Sequence, residues 1–93
     1  MKRELLSDEA LQSALATLPG WRLEGQELVR EFQFESYLAG IEFVNSVAQE
    51  AEALNHHPNL LVGWRQVTVR LTTHSAGGLT GLDVTLAGNI SAV

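Results

Sequence analysis

The three histidines of this 93-residue chain, His56, His57 and His74, all fall in one stretch of its second half. Imidazole is the side chain whose ordinary pKa lets it take or give a proton near neutral pH. With no cysteine and no cofactor motif in the chain, proton transfer is the first chemistry such a cluster suggests. Carboxylates accompany it. Glu52 stands four residues before His56, so helical spacing lets it reach that imidazole and fix its tautomer. Asp83 follows a loop that holds Gly77 and Gly78, where a backbone without side chains can approach a ligand closely.

The same residues admit other readings. His56-His57-Pro58 also suits a plain helix ending, since histidine favours the negative end of the helix dipole and proline forbids continuation. Asp83 is equally suited to capping a helix that starts at Thr80. Adjacent histidines project in different directions, and neither a His-x-x-x-His pair nor a cysteine is present, so no metal and no cofactor is expected. No G-x-S-x-G elbow supports a serine nucleophile, and the glycine pair lacks the spacing of a phosphate loop.

These residues must be positioned by elements, and the pattern predicts seven. Ser7 caps a helix carrying Leu11, Ala14, Leu15 and Leu18, which Pro19-Gly20 stops. Trp21 to Glu24 and Leu28 to Phe34 read as a hairpin turning at Gly25-Gln26, with Arg30 breaking the inward pattern. A long helix runs from Ser36 to Leu54, with Ile41, Val44, Ala48 and Ala51 in one row and Phe43, Val47 and Leu54 widening it. Pro58 is expected to end it, with Asn55 to His57 as the exit.

Leu60 to Val62 is a short strand and Gly63 to Arg65 a turn, which could bring Trp64 near the cluster. Gln66 to Thr73 alternates strictly, with Val67, Val69 and Leu71 on one face and His74 at the end. Ser75 to Gly78 reads as a flexible loop. Thr80 and Asp83 form a capping box for a last helix bearing Leu82, Leu86 and Ile90. The order α-β-β-α-β-β-α suits an α+β layer, an antiparallel sheet with helices on one face, in a single domain over residues 1–93.

Composition narrows the classes. Apolar residues at 45% and charged residues at 18% describe a globular chain. Six basic residues against eleven acidic ones give a net charge of −5, and the basic ones are scattered from Lys2 to Arg70. No stripe of them could track phosphates, which excludes direct nucleic-acid binding. The apolar runs are too short to span a bilayer, and no apolar signal core follows Met1 to Glu4, so no membrane association and a cytoplasmic location are expected.

Taken in order, Glu52, His56-His57-Pro58, Trp64, Thr73-His74, Gly78-Leu79-Thr80 and Asp83 resemble the signature of the pterin-4a-carbinolamine dehydratase family. Gly20-Trp21, Phe32-x-Phe34 and Ala51-Glu52 extend the resemblance over almost the whole chain. Leu60 differs from the Trp that many members carry there, and Leu82 and Ala76 from the Arg and Cys of some. The resemblance implies a four-stranded antiparallel sheet with three helices on one face. It implies dehydration of a 4a-hydroxytetrahydropterin to the quinonoid dihydropterin, without a cofactor. His57 and His74 would be proton donors to the leaving hydroxyl, and His56, backed by Glu52, would hold or deprotonate the pterin. Asp83 would orient an imidazole. His56 to Pro58 and Thr73, His74, Ser75 and Ala76 would contact the pterin, with Trp64 walling the site. The chain would be a homo-oligomer, a dimer or a tetramer. Two other functions stay open: a non-catalytic partner or assembly role on the same fold, and pterin handling linked to molybdopterin metabolism.

Overall fold

A computed structural model describes residues 4–93, so Lys2 and Arg3 of the scattered basic set lie outside the described residues. The elements follow the predicted order: α1 (Asp8–Ala16), β1 (Arg22–Glu24), β2 (Glu27–Gln33), α2 (Tyr37–Leu54), β3 (Asn59–Val62), β4 (Gln66–Leu71) and α3 (Gly81–Ser91). The strands form one antiparallel sheet in the order β1-β2-β4-β3, which leaves β1 and β3 at its edges.

Side-chain parity decides the layers. Val67, Val69 and Leu71 of the central β4 are fully buried, and their register partners Phe32, Arg30 and Leu28 on β2 point to the same side. Phe43, Val47 and Ala51 of α2 and Leu82, Leu86 and Ile90 of α3 close over them, with Leu11 and Leu15 of α1 against the rim of the core. Burying one such aliphatic side chain contributes roughly 1.5–3 kcal/mol, so β4 alone anchors a large share of a small domain's stability. Of the broad apolar face expected on α2, Phe43, Val47 and Ala51 are buried and Val44 and Leu54 pack against the core, while Ala48 is exposed.

Arg30, which interrupts the inward pattern, is accommodated at the sheet's margin. Its guanidinium lies 4.3 Å from the centre of the Phe32 ring and reaches the Ser91 hydroxyl at the end of α3. Ser91 also accepts a hydrogen bond from the Trp21 indole at 2.8 Å. Gly20 makes this possible: its φ is +88°, and a Cβ there would sit 2.8 Å from the Arg30 Nε.

The opposite face of the sheet carries ion pairs. Arg22 bonds Glu31 and Glu24, and Arg70 bonds Glu24 and Glu27. Val29, fully buried, belongs to this outer face, opposite Arg22 on one side and Arg70 on the other. The Arg22 guanidinium holds the Glu31 and Glu24 carboxyls below their ordinary range, with Arg70 adding to the effect on Glu24.

Helix ends follow local chemistry. Ser7 and Ser36 accept from the backbone N–H of Ala10 and Ala39, each three residues on. α2 ends at Asn55, three residues before Pro58. Asn55 takes the left-handed conformation at φ 49°, and the His56 N–H bonds back to the Ala51 carbonyl while the Asn55 N–H reaches Glu52. This Schellman arrangement, and not proline, terminates the helix.

Candidate functional site

The reversal at Asn55 sends the next two side chains in opposite directions. His56 turns inward and is 7% exposed; His57 stays outside. The pairing expected from helical spacing is therefore corrected. Glu52 bonds His57, Oε2 to Nε2 at 2.5 Å, and not His56. The i,i+4 rule presumes a helix continuing through His56, but α2 has already ended. His56 instead meets Asp83, Nε2 to Oδ1 at 2.6 Å.

Asp83 both caps its helix and orients an imidazole. Its Oδ2 accepts from the Thr80 N–H at 2.9 Å and from the Thr73 hydroxyl at 2.7 Å, leaving Oδ1 for His56. Asp83 and Thr80 are completely buried and Thr73 is 2% exposed. An ionised carboxylate only accepts, so against it Nε2 of a neutral His56 must be the protonated nitrogen. No buried side-chain nitrogen or oxygen among the described residues lacks a partner. Among the described residues Nδ1 of His56 has no hydrogen-bond partner, which leaves its lone pair unengaged within the protein.

His56 and His57 precede β3, and His74 follows β4, so all three stand at the open end of one hairpin. The segment after His74, expected to be a flexible loop, is closed by hydrogen bonds. His74–Ala76 form one 3₁₀ turn, and the Thr73 carbonyl accepts from the N–H groups of Ala76, Gly77 and Gly78. The Thr73 N–H returns to the Gly78 carbonyl at 3.0 Å. Gly77 supports the reversal with φ +78°.

Trp64 is placed elsewhere. It sits at the apex of the β3–β4 turn, 72% exposed, with the Arg65 guanidinium 4.6 Å from its ring centre. The four residues of β3 separate it from the histidines by roughly 13 Å along the strand. The hairpin that was expected to fold it back carries it away. Pro58 and Ala76 are half-buried and Ser75 is exposed beside the histidines.

Sequence reasoning missed residues on the β1–β2 turn. A cleft of about 220 Å³ beside His74 is lined by Gln26, Glu27, Thr72, Gly77 and Gly78. The Thr72 hydroxyl donates to the Gln26 carbonyl at 2.8 Å. Only sheet register, with Leu28 opposite Leu71, brings that turn to the end of β4, and no local signal announces it. Among the described residues, no group of three or more His, Cys, Asp or Glu is gathered to hold a metal ion, and no helix is long and apolar enough to cross a membrane.

A small α+β domain with imidazole–carboxylate pairs at one end of its sheet is a scaffold for acid/base chemistry or ligand binding. Residues 4–93 match the family model described as "Pterin 4 alpha carbinolamine dehydratase", and the chain belongs to that family. It is 51% identical over 90 residues to a Nocardia farcinica protein named "Putative pterin-4-alpha-carbinolamine dehydratase", covering 97% of this chain and 95% of that one. A Mycobacteroides abscessus protein of the same name is 46% identical over 86 residues, 92% of each chain. The crystal structure of a "transcriptional coactivator/pterin dehydratase" from Brucella melitensis superposes with a TM-score of 0.89 at 34% identity, over 94% of this chain and 95% of that one. A "pterin dehydratase-like protein", described as a RuBisCO assembly factor in the alpha-carboxysome, superposes with a TM-score of 0.67 at 26% identity, over 78% and 87%.

Proposed function

We propose that the protein dehydrates a 4a-hydroxytetrahydropterin to the quinonoid dihydropterin and water by histidine acid/base catalysis, in tetrahydrobiopterin recycling. One observation carries the reading: two imidazoles, each held by its own carboxylate, stand with a third at the open end of one hairpin. In the reaction the C4a–O bond breaks and the oxygen leaves as water after gaining a proton. N5 gives up its proton, and a C4a=N5 double bond forms. No electrons are exchanged with a second reactant, so an acid and a base suffice.

His57 and His74 are exposed and act as donors to the leaving hydroxyl. His56, its Nε2 engaged by Asp83, offers Nδ1 to the pterin N–H. Glu52 orients His57. Pro58 and the turn of His74, Ser75 and Ala76 frame the ring. The substrate is a pterin, the location cytoplasmic, and the working form a homodimer. The free edge of β3, with Leu61 and Val62 exposed, supports pairing with a second copy.

The test is an assay on enzymatically generated carbinolamine, comparing the native protein with a His57→Ala/His74→Ala double variant. A loss of about 10²- to 10⁴-fold is expected. An unchanged rate refutes the assignment. The resemblance to an assembly factor, together with exposed Tyr37, Leu38, Leu61 and Trp64 away from the histidines, favours a second reading as a non-catalytic partner protein. That reading gains if a stable partner is captured equally well by the double variant.

A further inference from the structure

The buried side of the histidine cluster contains a chain of hydroxyls whose protons are all determined by polarity. Asp83 Oδ2, as part of an ionised carboxylate, can only accept, so the Thr73 hydroxyl spends its single proton there, at 2.7 Å. Thr73 Oγ1 also lies 2.9 Å from Thr80 Oγ1, and with its own proton committed it must accept the Thr80 proton. Thr80 Oγ1 in turn accepts from the Leu82 N–H at the start of α3. The sequence of donors is therefore Leu82 N–H, Thr80 O–H, Thr73 O–H and then Asp83, whose other oxygen accepts from His56 Nε2. Asp83 Oδ2 accepts the Thr80 N–H as a second donor, and every member is more than nine-tenths buried.

We infer that Thr73 and Thr80 are positioning residues for His56, acting through Asp83, and that Thr73 does not contact the pterin through its side chain. The chain locks the carboxylate in one rotamer. It thereby holds His56, whenever neutral, as the Nε2–H tautomer with the lone pair on Nδ1. His56 is then a built-in acceptor, which leaves the donor role to His57 and His74. Thr73 also immediately precedes His74, so its hydroxyl ties the β4 exit to the start of α3, and Asp83 carries the link on to His56 at the α2 exit. This assignment of roles rests on the dehydratase reading; the tautomer does not.

The experiment is ¹⁵N NMR of the imidazoles in the substrate-free protein, at a pH where they are neutral, for the native chain, Thr73→Val and Thr73→Ser. The native His56 is expected to carry its proton on Nε2. The near-isosteric valine removes one donor from Asp83, and the two tautomers are then expected to mix; serine restores the native signature. In the dehydratase assay valine is expected to lower kcat about 10- to 100-fold with KM changed less than threefold, by analogy with the loss of groups that orient ligating histidines. An Nδ1–H tautomer in the native protein overturns the inference whether or not the valine variant folds. So does a folded Thr73→Val that keeps both the native tautomer and the native kcat. The predicted tautomers in a protein without dehydratase activity uphold the chain and reject only the reaction.

Discussion

Two neighbouring histidines each hold a carboxylate, yet the two pairs live under opposite physics. His56 and Asp83 are 8% and 0% exposed at their side chains; His57 and Glu52 are 55% and 76% exposed. In the first pair the second oxygen of Asp83 is taken up by the Thr73 hydroxyl and the Thr80 N–H. Removing one partner there strands a buried polar group. In the second pair water competes for both groups, and the interaction contributes little to stability. The buried pair can therefore hold one geometry and one tautomer. The exposed pair can exchange protons with solvent and, in the proposed reaction, with substrate. A site built from one of each kind divides rigidity from turnover.

The sharpest way to break this contrast is Asp83→Ala. It leaves His56, Thr73 and Thr80 without their common partner and is expected to cost about 3 kcal/mol in urea denaturation, with the m-value unchanged. A change under 1 kcal/mol would mean that the buried pair is no more structural than the exposed one. Glu52→Gln probes the other side. Its expected stability change is within about 0.5 kcal/mol, while the dehydratase rate falls roughly 10-fold as His57 loses its charged partner. A stability loss as large as that of Asp83→Ala would erase the distinction.

The smallest effect belongs to the ion pairs on the outer sheet face, which contain no histidine. The Arg22 guanidinium lowers the carboxyl pKa values of Glu31 and Glu24 on folding, while Arg22 itself is raised and stays charged throughout. A carboxyl whose folded pKa is depressed contributes stability that is present above its unfolded value of about 4.3. That contribution is lost as pH falls through the folded value. Glu31→Gln should thus lower Tm slightly at pH 7, less in 1 M salt, and less still below pH 4. A Tm difference that stays constant from pH 7 to pH 3 would show that the layer acts through packing over Val29 and not through charge.

Much of the fold was legible because its signals are local. Strict alternation from Gln66 made β4 readable, and Val67, Val69 and Leu71 are indeed its buried face. Thr80 and Asp83 read as a capping box and form one. Ser7 and Ser36 start helices by the same chemistry. The site was half legible. Residue types and their order announced the histidines and carboxylates, but the partners were misassigned. The expected Glu52–His56 pair assumed that helical geometry persists to His56, and Trp64 was expected near the cluster although the turn expected at Gly63 to Arg65, which the structure has, puts it at the far end of the hairpin.

By itself, then, the sequence determined the seven elements, the side of β4 that is buried and the family to which the chain belongs. The elements and the buried side depend on periodicities and caps spanning a few residues, the family on the identity and order of motif residues along the whole chain. Tertiary structure alone decided which carboxylate serves which imidazole. Asn55, in the left-handed conformation, turns His56 inward just where the start of α3 presents Asp83, 27 residues later. A partner that far along the chain is chosen by helix packing and sheet register, and neither is written in the spacing of the residues it joins.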